Sequence, residues 1–110
     1  MGFAYSECVI TRDWTFLSNH GHVLVCLADE PGTRLRDVAE RVGITERSVQ
    51  HIVRDLEDAG YVVTARVGRR NRYKVVRSGR FRHPLEGGLR VGKFTDLVLG
   101  KGTDSDAELT

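Results

Sequence analysis

The sequence predicts a single α+β domain in which a three-helix core leads into a β-hairpin, with a short C-terminal helix after it. Three observations predict this. The apolar period is helical up to Gly60 and becomes two directly afterwards; two short amphipathic stretches meet at Gly43-Ile44; and residues 61–83 hold eight basic side chains and no acidic one. A chain of 110 residues fits one domain.

Each element has its own signals. Residues 1–13 show no period and form an N-terminal extension, in which Phe3, Tyr5, Val9 and Ile10 are apolar enough to dock on another surface, a second subunit among them. Ser18 is placed as an N-cap for a first helix near 19–29, with Val23, Leu24 and Leu27 at helical spacing and Pro31-Gly32 as the stop. Trp14, Phe16 and Leu17 lie just before it and would extend it with an aromatic face. Leu35, Val38, Ala39 and Val42 recur at three and four residues and end at Gly43, giving a second helix over 35–42. Thr45 caps a third, near 45–59, whose buried stripe is Val49, Ile52, Val53 and Leu56 and which Gly60 closes. Alternation at Tyr61–Val67 and again at Arg72–Val76 predicts a hairpin closed by the four-residue loop Gly68-Arg69-Arg70-Asn71, with the arginines at its tip. Residues 83–88 read as loop. Val91, Phe94, Leu97 and Val98 suggest a last helix, which makes 85–100 a C-terminal helical segment suited to dimerisation, and 101–110 an acidic, disordered tail.

Composition excludes several classes. With 40% hydrophobic and 29% charged residues the chain has the mix of a soluble globular protein. Its longest apolar run, Val23–Ala28, falls far short of the ~20 residues that span a bilayer, and no signal peptide is legible, so a cytoplasmic location is expected. Cys8 and Cys26 form no C-x-x-C pair, so no metal is expected, and buried structural thiols are expected rather than a redox switch. His20 and His22, two apart, fall on different helical faces. No catalytic motif or clustered carboxylate pair appears, so the protein reads as a non-enzyme that needs no cofactor.

Net charge is only +2, but its arrangement is uneven: residues 1–60 carry −4, residues 61–83 carry +8 and residues 84–110 carry −2. Seven of the eight basic residues in the middle segment are arginines, interleaved with Tyr73 and Phe81, and planar guanidinium donors suit phosphate. That pattern describes a folded polyanion-binding patch rather than a solvated strand pair.

Two helices crossing at a small residue (Ala39), a turn at Gly43 and a hairpin with a basic tip are the order of a winged helix-turn-helix. The segment LRDVAERVGITERSVQHIVRDLEDAGYV, with GRRNRY at the hairpin and RHPL after it, resembles small bacterial winged-helix regulators of the multiple-antibiotic-resistance-regulator (MarR-like) and arsenical-repressor (ArsR-like) type. The resemblance covers residues 14–84 and implies a sequence-specific, DNA-binding transcriptional regulator that acts as a homodimer, with a small-molecule effector pocket, if there is one, at the dimer interface. Helix 45–59 would enter the major groove of double-stranded DNA and the basic wing, 66–74, would lie on the backbone or in the minor groove. On the helix, Arg47 can fork to guanine, Gln50 can pair with adenine, His51 can reach a base edge, Thr45 and Ser48 can hold a phosphate at the helix N-terminus, and Arg54 suits the backbone. On the wing the candidates are Arg66, Arg69, Arg70, Arg72 and Lys74. The competing reading is a winged-helix module that binds protein or RNA without sequence-specific DNA recognition.

Overall fold

A computed structural model describes residues 14–101; expectations for 1–13, Cys8 included, and for the tail beyond 101 lie outside the described residues. The elements, in order, are α1 (Asn19–Asp29), α2 (Leu35–Val42), α3 (Glu46–Asp58), β1 (Val62–Val67), β2 (Arg70–Val75), a 3-10 turn (Pro84–Glu86) and α4 (Val91–Leu99). None of the described helices is long and apolar enough to cross a membrane.

The helix starts follow from local hydrogen bonding. The Ser18 hydroxyl accepts from the Gly21 amide at 3.2 Å and that of Thr45 from the Ser48 amide at 3.0 Å, each satisfying a donor that the first helical turn leaves open. The Ser18 cap also ends the aromatic run. Trp14 and Phe16 do not extend α1 but precede it, edge to face at 5.1 Å and largely exposed. Between α2 and α3 the chain reverses at Gly43, where the amides of both Gly43 and Ile44 return to the Ala39 carbonyl.

The buried stripes of the helices converge on α1, which buries five residues in succession, Val23 to Leu27. It packs against α2, α3, β2 and α4. Val38 and Ala39 of α2 and Val49, Ile52, Val53 and Leu56 of α3 close the helical part of the core.

The hairpin is tighter than its sequence suggests. Val67 pairs with Arg70, so the loop is the two residues Gly68-Arg69 rather than four, and Arg70 and Asn71 belong to β2. The reason is conformational: a two-residue turn matching strand twist needs positive φ at its first central position, and Gly68 supplies it at +64°. The register is Val62 opposite Val75, Thr64 opposite Tyr73 and Arg66 opposite Asn71, with Val63, Ala65 and Val67 facing the other way beside Lys74, Arg72 and Arg70. Val62 and Tyr73 take the core, so the more continuous apolar alternation, through Val63 and Val67, faces outward at 54% and 60% exposure. Along its outer edge β2 is held by the α1–α2 loop, where the Tyr73 amide donates to the Pro31 carbonyl at 2.9 Å.

Beyond the hairpin the chain folds back as a strap. The Tyr61 hydroxyl donates to the Arg80 carbonyl at 2.8 Å, and Phe81 stacks edge-on to Phe94 at 5.1 Å. Phe94, one of the apolar residues of the C-terminal segment that the sequence suits to dimerisation, is buried within the chain, with Phe81 packed on it. The first amides of α4 donate to the strap, Val91 to the Gly79 carbonyl and Gly92 to that of Arg77. Arg77 then reaches along the helix and donates to both carboxylate oxygens of Asp96, at 3.0 and 2.7 Å. This bidentate pair raises the guanidinium pKa and lowers that of the carboxyl.

Two stability outcomes follow. A Cβ at Gly92 would lie 2.8–2.9 Å from Arg77 atoms, its own Cβ included, so Gly92→Ala should lower unfolding free energy by about 1–3 kcal/mol in urea titrations. Thr45→Ala removes the α3 cap and should cost about 0.5–2 kcal/mol in the same assay, with no change in helix content beyond the first turn.

Candidate nucleic-acid interface

On α3, burying Val49, Ile52, Val53 and Leu56 leaves one polar face outward. Arg47, Gln50, His51 and Arg54 recur at three and four residues, so they form a single exposed stripe opposite the buried one. With Glu46 they bound one shallow depression on the surface. The neighbouring acid, Asp55, is drawn toward α1, with its Oδ2 lying 2.9 Å from His20 Nε2. Its charge is thereby turned from the Arg47–Arg54 stripe.

The helix N-terminus is more committed than its sequence implies. The Thr45 oxygen accepts from the Ser48 amide while its hydrogen is donated to Ser48 Oγ at 2.9 Å. Of the two hydroxyls expected at a phosphate, the one with a free hydrogen is therefore Ser48, and Thr45 serves as the cap that positions it.

All five wing cations are exposed, but they are not equivalent. Arg69 alone sits in the turn. Arg70, expected beside it at the tip, is in the strand and donates from Nη2 to the Gly32 carbonyl at 2.7 Å, which ties the hairpin to the α1–α2 loop. Arg66 Nε donates weakly to the Gly68 carbonyl at 3.4 Å. Arg72 and Lys74 lie on one face with Arg70, and among the described residues no acid pairs with any of the five. Sequence reasoning placed the cations but missed what holds them: the Arg70–Gly32 and His20–Asp55 contacts join residues more than thirty positions apart, for which no local pattern gives a signal.

Two further features bear on chemistry. A cleft of about 470 Å³ opens between α1, α4 and the strap, with Phe16, Tyr61, Phe81 and Phe94 in its walls and His20 and Arg82 among its polar groups. Cys26 is a buried free thiol whose pKa is pushed up mainly by burial, a state that disfavours the reactive thiolate. Among the described residues no three His, Cys, Asp or Glu side chains converge as a metal site.

Comparison with known proteins places this geometry. No curated protein sequence matches the chain. Among solved structures, a crystal structure of the PcaV transcriptional regulator from Streptomyces coelicolor in complex with its natural ligand is similar at 26% identity, over 84% of this chain and 68% of that one, with a TM-score of 0.48. Residues 18–63 match the family described as winged helix-turn-helix DNA-binding, a span running from the α1 cap through both helices of the turn into β1. With the hairpin completing that unit, the described residues have an α+β winged helix-turn-helix fold.

Proposed function

We propose that the protein is a sequence-specific DNA-binding transcriptional regulator that inserts α3 into the major groove and rests its wing on the backbone or adjacent minor groove. The observation that carries this reading is the single exposed stripe of Arg47, Gln50, His51 and Arg54, whose side chains include donors and acceptors suited to base edges. The acid-free hairpin supplies the sequence-independent part of the affinity through Arg66, Arg69, Arg72 and Lys74, with Arg70 in a bracing role. Ser48 takes a phosphate at the groove edge.

The two parts should separate in one experiment. Gln50→Ala should cost about 1–3 kcal/mol on a selected site and relax preference at one or two base pairs, with affinity for random duplex nearly kept. Arg69→Ala combined with Arg72→Ala should weaken all duplexes alike and flatten the dependence of log affinity on log salt by roughly 0.9 per lost phosphate contact. Variants of Arg47, Gln50 and His51 that retain the full specific-to-random ratio would sink this reading and leave the protein- or RNA-binding module.

Assembly as a homodimer through the N-terminal residues, α1 and the 85–100 segment belongs to the same proposal. It is supported by the apolar side chains left outward at Trp14, Phe16, Leu97 and Val98, which are 45–93% exposed. Sedimentation at micromolar concentration should give twice the 12.3 kDa chain mass, and selected sites should be near-palindromes with half-sites roughly 10 bp apart. Particles of one chain mass, with and without DNA, would overturn it.

A further inference from the structure

A second group of cations lies outside both α3 and the wing. Arg80, on the strap, and Arg90, at the start of α4, face each other in an isolated antiparallel bridge. The bonds flanking that bridge run from the Phe81 amide to the Leu89 carbonyl and from the Val91 amide to the Gly79 carbonyl. Arg80 and Arg90 are thus a non-hydrogen-bonded pair, the arrangement that brings opposite side chains closest.

Two like charges held in that register repel. Among the described residues no carboxylate pairs with Arg80, Arg90 or Lys93; the acid of this region, Asp96, is taken by Arg77. Arg90 is steadied by one bond from Nη1 to the Ser78 carbonyl at 2.9 Å. Lys93 follows three residues later, and with Arg90, Leu89 and the Arg77–Asp96 pair it borders a shallow depression on the surface. The first two amides of α4 are already engaged by the strap, so whatever attracts an anion here is the side chains and not the helix end.

The backbone beneath these cations is fixed. Arg80 has its own carbonyl bonded to Tyr61, its neighbours bonded to Leu89 and Val91, and Phe81 beside it packed on Phe94. A patch of three exposed cations on an immobile frame loses little freedom when an anion docks.

We infer that Arg80, Arg90 and Lys93 form a second phosphate-contacting surface for the phosphodiester backbone of duplex DNA, separate from the wing. The inference rests on the DNA-binding reading above and extends its footprint to the strap and α4. Polyanion is the partner because three exposed cations stand beside a single acid, Asp96, whose carboxylate Arg77 already takes, and a duplex presents one negative charge per roughly 1.7 Å of its axis.

The test uses the full chain and a mixed-sequence duplex long enough to outlast the α3 and wing contacts, titrated across a series of salt concentrations. Arg80→Gln with Lys93→Gln leaves the Arg90–Ser78 and Arg77–Asp96 bonds in place, and its melting curve checks the fold. Affinity should fall several-fold on specific and random duplexes alike, and the log–log salt slope should shrink by roughly one to two. Arg80→Lys with Lys93→Arg, which keeps the charge, should restore the slope. If the glutamine variant binds with unchanged affinity and slope while the Arg69 and Arg72 variant still weakens binding, the inference is overturned and the DNA-binding reading stands. If the unaltered chain binds no duplex at all, that reading fails and the inference falls with it.

Discussion

Everything in this fold depends on the burial of α1. Its five successive buried residues make it less a surface helix with one apolar stripe than a rod surrounded by the others: α2 and α3 on one side, β2 and α4 on the rest. At roughly 1.5–3 kcal/mol per fully buried aliphatic side chain, Val23, Leu24 and Leu27 outweigh the ~1 kcal/mol of a cap such as Ser18. The caps decide where helices begin, and the shared core decides how they lie. Because α1 occupies the inner stripes of both α2 and α3, the turn at Gly43 leaves α3 only one face for solvent, and that face is where its polar residues fall.

The same economy of surfaces governs charge. Of the eight basic residues between Tyr61 and His83, Arg77 is spent on Asp96 and Arg70 on the Gly32 carbonyl, so they act as structural braces. The others face outward with no acid paired to them among the described residues. A net charge of only +2 is therefore compatible with strongly positive local fields, because the acids lie mostly in the helical part and the bases in the hairpin and strap.

How far this was legible in the sequence depends on the range of the interactions involved. The ends of α1, α2 and α3 were readable because Ser18, Gly43 and Thr45 act within four residues of themselves. The hairpin was readable as a hairpin, but Gly68 and Asn71 are both tolerant of turn conformations, and only the pairing of Val67 with Arg70 decides that the loop is two residues long. Which face of β1 is buried was also not local: Val63, Ala65 and Val67 make the better stripe, yet Val62 is the one set against Tyr73 and the helices. The candidate base-reading stripe of α3 was legible in full, since helical periodicity assigns Arg47, Gln50, His51 and Arg54 to one face once Val49, Ile52 and Leu56 are inside. The partners of Arg70, Asp55 and Phe94 were not legible because they lie 38, 35 and 13 positions away, in elements whose placement no spacing rule encodes.

The hairpin's attachment has a thermodynamic meaning of its own. A free two-stranded hairpin is marginal in water and would have to be ordered each time it met a partner. Here one edge is pinned at Pro31, Arg70 clamps the neighbouring carbonyl and Thr64 bonds to Glu57 at the far end of α3. The ordering cost is met during folding, so an encounter spends less entropy on the arm than it would on a loose one. The α1–α2 loop, which carries none of the candidate contact residues, thereby becomes part of what keeps the hairpin ordered in advance.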